Sequence, residues 1–263
     1  MKRAAAFFTM ATFVCATAHA EPTRTEGAHW HGGVLVDSSV RSALRAETKE
    51  QRGFANDESN ALLYSMVALP AVNAAMNAPN VGDAASLMAV NAETFGVTFA
   101  LVALIKAVSK RERPYATAAG LSAYCVEHPT TSECKNDRNA SFFSGHSATA
   151  FAGAGLVCMQ QMEFGSRFGS VGCGAAMTIA GATALLRIIA DKHYATDTLV
   201  GALVGIGTGM LLPYVMHFAP WAPLPVARDL QDARVAAPAV DAGTQIAPWG
   251  TPGGGGMALS FVF

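Results

Sequence analysis

Five long apolar stretches restrict what this chain can fold into: roughly residues 61–78, 84–110, 146–162, 171–190 and 197–218. Each is longer than an ordinary strand, so each is predicted to be a helix. The expected fold is therefore all-α, a bundle of about five core helices. Alanine and glycine recur in the stretches, as in GAGLVC, AGATALL and GALVGIGTG. Small residues of this kind let helix backbones approach closely. Pro70 predicts a kink in the first stretch, and Pro114 predicts the end of the second.

The flanks differ in texture. Residues 1–20 have Lys2 and Arg3, then an apolar run from Ala4 to Val14, then Ala18-His19-Ala20. That order reads as a secretory signal cut after Ala20, with an uncleaved membrane anchor as the alternative. The remaining 243 residues suffice for one domain with a sizeable core, and their formal charge of −3 gives no basic excess for nucleic acid. Residues 21–60 form a polar N-terminal arm, in which Asp37-Ser38-Ser39 predicts a short capped helix with Val40, Ala43 and Leu44 on one face. His29-Trp30-His31 offers two histidines without a third ligand, so it is read as an incidental feature of a loose arm rather than a metal site. Residues 219–263 are an extended Pro- and Gly-rich tail, and GMALSFVF after TQIAPWGTPGGG predicts a terminal hairpin.

Four cysteines lie beyond the leader, an even count that in an exported chain predicts two disulfides. Cys125 and Cys134 bracket a polar loop and are paired on that ground. Cys158 and Cys173 pair by elimination. Four plain buried thiols are the alternative.

Three polar motifs stand at the ends of the apolar stretches. In the first, Lys106 and Arg113 are two helical turns apart, and Pro114 turns Arg113 out of the helix. Two cations there can neutralise an oxyanion, and the guanidinium adds a bidentate fork; a solvated basic helix end is the plainer reading. In the second, Ser144-Gly145-His146, the serine is a natural N-cap, and the free N–H groups after it make an anion site that Gly145 leaves open. Capping alone is the plainer reading here too. In the third, Arg187, His193 and Asp197 lie between the last two stretches. A carboxylate one turn after an imidazole fixes its tautomer and frees the other nitrogen to attack, although a surface histidine before a capped helix has the same spacing. If neighbouring helices alternate in direction, all three motifs meet at one pole of the bundle.

Taken together, K-x6-RP, SGH and R-x5-H-x3-D, in that order over about residues 60–218, resemble the type-2 phosphatidic acid phosphatase superfamily, which includes bacterial acid phosphatases and vanadium-dependent haloperoxidases. The resemblance implies a metal-independent phosphatase acting on phosphomonoesters, lipid phosphates and pyrophosphates included. By resemblance, His193 takes the phosphoryl group, Asp197 orients it, and His146 serves as acid and then base. Lys106, Arg113, Ser144, Gly145 and Arg187 would hold the phosphate oxygens. No cofactor is implied, with vanadate as a phosphate mimic. Two positions depart from the pattern: Phe143 stands where the family has proline, and Leu186 where it has a serine that donates to the phosphate.

Two competing functions share these motifs, a vanadium haloperoxidase and a non-catalytic anion-binding envelope protein. The expected partner is a phosphorylated small molecule or lipid, with peripheral membrane contact and no nucleic acid. A periplasmic or secreted protein, soluble or peripheral, is favoured over an integral inner-membrane one on three grounds. Asn73, Asn77, Asn91 and Glu93 are costly in lipid unless buried, the loops near 79–83 and 163–170 hold only Arg167, and a Cys158–Cys173 bridge beside the second loop would not persist in cytosol.

Overall fold

The computed structural model of the chain describes residues 30–78, 80–117, 136–164, 169–223, 243–251 and 254–262. The leader and the Cys125–Cys134 pair therefore lie outside the described residues. The element order is α1 (Asp37–Leu44), α2 (Lys49–Asn77), α3 (Val81–Ser109), α4 (Gly145–Phe164), α5 (Gly169–Ile189) and α6 (Ala195–Ile206), followed by β1 (Gly243–Thr251) and β2 (Gly254–Val262). α6 continues through two π-helical turns, Gly207–Leu211 and Tyr214–Phe218. The two strands pair antiparallel, from Gly243 opposite Val262 to Thr251 opposite Gly254. The molecule is an all-α bundle with this terminal hairpin attached.

Two boundaries depart from the sequence expectation. The first core helix begins at Lys49, not near residue 61, so the last third of the polar arm is helical. A capping box explains the start: the Thr48 hydroxyl accepts from the Gln51 N–H, and the Gln51 side chain accepts from the Thr48 N–H. The helix then runs through Pro70 to Asn77 as one element. α3 ends at Ser109, four residues before the Arg113-Pro114 step, because Lys110 takes a left-handed conformation (φ 43°, ψ 40°) and returns its N–H to the Lys106 carbonyl.

α4 is the axis of the bundle. Ala148, Ala150, Ala152, Ala154, Leu156, Val157, Cys158 and Met159 are all buried, and the helix packs against α2, α3, α5 and α6. One core cluster joins Leu156 and Met159 to Leu87, Val90, Phe95 and Phe218. A second joins Ala150 and Val157 to Met66, Ala176 and Ala180. Glycine makes this possible at the crossings. A Cβ on Gly205 would overlap the Ala148 carbonyl, one on Gly209 the Ala152 carbonyl, and one on Gly153 the Met66 carbonyl. Gly205→Val is therefore expected to push α6 from α4 and to cost about 1–3 kcal/mol or more. Thermal unfolding measures the cost, and a midpoint equal to the parent's would contradict this packing.

Cys158 and Cys173 form a disulfide across the α4–α5 hairpin. Closing a loop of sequence separation 15 stabilises a fold by roughly 3 kcal/mol in the chain-entropy account.

Buried amides brace the bundle at mid-height. Asn73 donates to Gln160 Oε1 (2.9 Å), and Gln160 donates to Asn91 Oδ1 (2.7 Å). Asn77 donates to Asn73, and Glu93 lies 2.9 Å from His217 Nε2. The polar residues that argued against a bilayer thus face protein partners, which removes most of their cost in lipid. Three helices, Val81–Ser109, Val171–Ile189 and Ala195–Phe218, are long and apolar enough to cross a membrane, with under a third of each span buried. Phe99, Leu104, Val108, Leu199, Leu203 and Leu211 are exposed along them. This outer surface fits the integral alternative. An unpaired apolar face of this length is stable in lipid and an aggregation hazard in water.

Candidate active site

The site forms where α3 ends, α4 begins, and α5 turns into α6. Lys106 occupies the last turn of α3. The left-handed Lys110 then folds the chain back, burying Arg111 and Arg113 under the pole of the bundle. Backbone bonds pin this return: Arg113 N–H donates to the Arg138 carbonyl (2.7 Å) and Ser141 N–H to the Arg111 carbonyl (3.0 Å).

α4 starts beneath it. Ser144 Oγ accepts the Ser147 N–H at 3.3 Å, as an N-cap should, and Ser144 N–H donates to the Asp197 carbonyl at 3.0 Å. The second bond ties the start of α4 to the start of α6. Gly145 faces Lys106, whose ammonium would lie 3.8 Å from a Cβ added there.

The α5–α6 turn supplies the third part. Lys192 and His193 N–H groups both bond the Arg187 carbonyl, and Asp191 adopts φ 58°. Arg41 grips the Asp191 carboxylate at 2.6 and 2.8 Å, and Arg45 adds a bond of 2.9 Å, so α1 braces the turn from behind. His193 is buried, with Nε2 3.4 Å from Arg113 Nη1 and Nδ1 3.7 Å from Asp197 Oδ2. Arginine only donates, so Nε2 carries the lone pair and Nδ1 the proton, facing the carboxylate. At 3.7 Å that proton makes no hydrogen bond among the described residues. Asp197 is itself held by Arg111 (2.6 Å), Ser141 Oγ (2.6 Å) and the Tyr194 N–H (3.0 Å).

Burial first, and then the charges of Arg113, Arg187, Lys106 and His146, hold the His193 pKa well below the ordinary value of 6.5. The folded chain thus keeps His193 neutral at a pH where the unfolded chain protonates it. Its contribution to stability is complete above pH 6.5 and is lost as the pH falls from there toward the folded value. The drop in unfolding midpoint between pH 7.5 and 5.5 is expected to be smaller in His193→Gln than in the parent. An equal drop would mean that His193 titrates normally.

Every candidate from the three motifs that lies in described residues reaches this pole: Lys106, Arg113, Ser144, Gly145, His146, Arg187, His193 and Asp197. Phe143 is buried in the approach to α4 against the ring of Phe142. Leu186 precedes Arg187 without a donor, and the polar groups at Arg187 come instead from α2. Arg187 Nη1 donates to Asn56 Oδ1 (2.8 Å) and to Ser59 Oγ (3.0 Å).

Four side chains escaped the sequence reading. Asn56, Ser59 and Asn60 sit on α2 in a stretch assigned to the arm, and a polar stripe at i, i+3, i+4 was the available signal. Arg111 stands inside KRER, among other charged residues that give it no local mark of burial. It is fully buried, bonded to Asp37 (2.8 Å), Asp197 (2.6 Å) and Thr196 (2.9 Å), and stacked between the rings of Trp30 (4.2 Å) and Tyr194 (4.3 Å). Trp30 and Asp37 therefore correct the picture of a loose arm. Asp37 also accepts the Thr196 N–H at 2.8 Å, capping α6 from a distant part of the chain. His31 pairs with Glu112 at 3.1 Å. Among the described residues no group of three His, Cys, Asp or Glu side chains is placed to hold a metal ion.

A family model described as the PAP2 superfamily matches residues 88–221, a little over half the chain. A lipid A 1-phosphatase of Porphyromonas gingivalis is 47% identical over 73 residues, which are 27% of this chain and only 15% of that relative. No solved structure matches the chain.

Proposed function

The chain belongs to the PAP2 superfamily, and from that premise we propose that it hydrolyses the phosphate of a lipid through a phosphohistidine, without a metal. One observation carries the reading. Lys106, Arg113 and Arg187 converge on two imidazoles, His146 and His193, at one pole of an apolar bundle. Three fixed cations can neutralise the equatorial oxygens of a transferring phosphoryl group, the task that phosphoryl transfer chiefly sets a protein. The start of α4 adds the Ser144 hydroxyl and the Gly145 N–H.

In this mechanism the lone pair on His193 Nε2 attacks phosphorus as the ester P–O bond breaks. The electron pair of that bond goes to the leaving oxygen, which takes a proton from His146. Neutral His146 then removes a proton from water, whose oxygen attacks phosphorus. The P–N bond breaks, its electrons return to Nε2, and inorganic phosphate leaves. Asp197 stabilises the positive charge on His193 in the intermediate. Charge neutralisation by three side chains makes a metal dispensable, so activity is expected to survive exhaustive chelation.

A lipid substrate is favoured by the exposed apolar flanks of the bundle, which would set the site at a bilayer surface. The resemblance to a lipid A phosphatase over 73 residues points the same way. The test is phosphate release from phosphatidic acid, a polyprenyl pyrophosphate, lipid A and a small aryl phosphate, each in detergent with chelator present. Preference for one of the lipids supports the proposal. Exclusive use of the aryl phosphate would reject the lipid, and vanadate-dependent bromination without phosphate release would replace the reaction. Retention in the membrane after a carbonate wash is expected, and full release would exclude an integral protein.

A further inference from the structure

His146 has a partner that neither its motif nor the matched stretch contains. Its Nε2 lies 2.7 Å from Oδ1 of Asn60, on α2, 86 residues earlier in the chain. The family match begins at residue 88, so α2 lies outside it. Asn60 stands on the same helical stripe as Asn56 and Ser59, which hold Arg187.

The chemistry of this contact is restrictive. An amide oxygen only accepts, so the bond exists only when Nε2 of His146 carries a hydrogen. Around His146 stand Lys106, Arg113 and Arg187, and burial first, then these charges, push its pKa down to about 3, so the ring is neutral while no anion sits among the cations. A bound phosphate dianion offsets those charges, and the ring then needs an acceptor that holds the Nε2 hydrogen while Nδ1 carries the proton for the leaving group. Asn60 supplies that acceptor without adding a negative charge, which would compete with substrate for the cations.

We propose that Asn60 is a positioning residue for the general acid: its Oδ1 holds a hydrogen on His146 Nε2, fixes the ring plane, and so keeps His146 able to deliver a proton to the leaving alkoxide. The inference rests on the phosphatase reading above. As the P–O bond breaks, the leaving oxygen takes its electron pair and one proton of the imidazolium. The neutral ring left behind keeps a single N–H, held by Asn60, and its other nitrogen takes a proton from water in the second step.

A purely structural role and a role through the acid make different predictions for different leaving groups. An alkoxide needs the proton, whereas nitrophenoxide departs without it. Asn60→Ala is expected to lower kcat on hexyl phosphate by about tenfold or more, and on p-nitrophenyl phosphate by less than about threefold. Equal fractional losses on both substrates, or no loss on either, would overturn the proposal. Asn60→Asp keeps an acceptor oxygen and adds charge. It is expected to keep kcat on hexyl phosphate within about threefold of the parent while raising KM. If Asn60→Ala does not fold, judged by its elution and helical dichroism, this second variant decides. An equal fall of kcat on both substrates in Asn60→Asp would also overturn the proposal. A parent protein that releases phosphate from neither ester would reject the phosphatase reading itself, a failure distinct from these.

Discussion

His193→Ala is expected to lose phosphate release by roughly four orders of magnitude while keeping its fold. The size follows from the role: without Nε2 no covalent intermediate forms, and water would have to attack phosphorus unaided. The fold should persist because the ring is neutral and its Nδ1 makes no hydrogen bond, so its removal orphans no buried partner there. A small cavity remains beside Arg113, and added imidazole should restore part of the activity by occupying it. His146→Ala should behave differently. With an aryl phosphate the first step needs no acid, so the phosphorylated enzyme should accumulate for want of a base to activate water. Undiminished turnover in His193→Ala, measured as phosphate release per folded enzyme, would reject the mechanism.

Arg111→Met is the second large effect, and it falls on stability. Arg111 is buried between Asp37 and Asp197, at 2.8 and 2.6 Å, with Trp30 and Tyr194 over its two faces. Removing the cation leaves two buried carboxylates unpaired, and breaking such pairs costs about 3–5 kcal/mol. One of them, Asp197, lies 3.7 Å from His193 Nδ1, and the other, Asp37, caps α6 through Thr196. The loss should therefore loosen the arm and the nucleophile together, seen as a lowered unfolding midpoint and faster chymotryptic cleavage at Trp30. Arg113→Met, at the edge of the anion site, should raise KM with a smaller change in midpoint. If Arg111→Met unfolded within about 2 °C of the parent, the arm would have no part in holding the site.

Much of this was legible in the sequence, because the signals were periodic and local. Five apolar stretches announced helices, and their small residues announced close crossings, which Gly153, Gly205 and Gly209 make against facing carbonyls. Three motifs at helix ends announced a shared pole through alternation alone. What stayed hidden depends on contacts that no local pattern encodes. Thr48 and Gln51 cap α2 twelve residues before the apolar stretch begins, and the turns they add carry Asn56, Ser59 and Asn60 to the site. Arg111 reads as surface charge because its neighbours are charged. Only the left-handed turn at Lys110 drives it inward, onto an aspartate 74 residues away. The membrane question turned on the same kind of information. Asn73, Asn91 and Glu93 look prohibitive in lipid until Gln160 and His217 are seen to meet them.

The claim under all of this is that His193 is the atom acceptor for phosphorus. Rapid mixing with a radiolabelled phosphate ester, quenching in alkali and mapping of the labelled peptide test it most directly. A label stable in base, labile in acid and located on the peptide containing His193 is the expected result. Turnover with no labelled enzyme, or a label on any other residue, would contradict it.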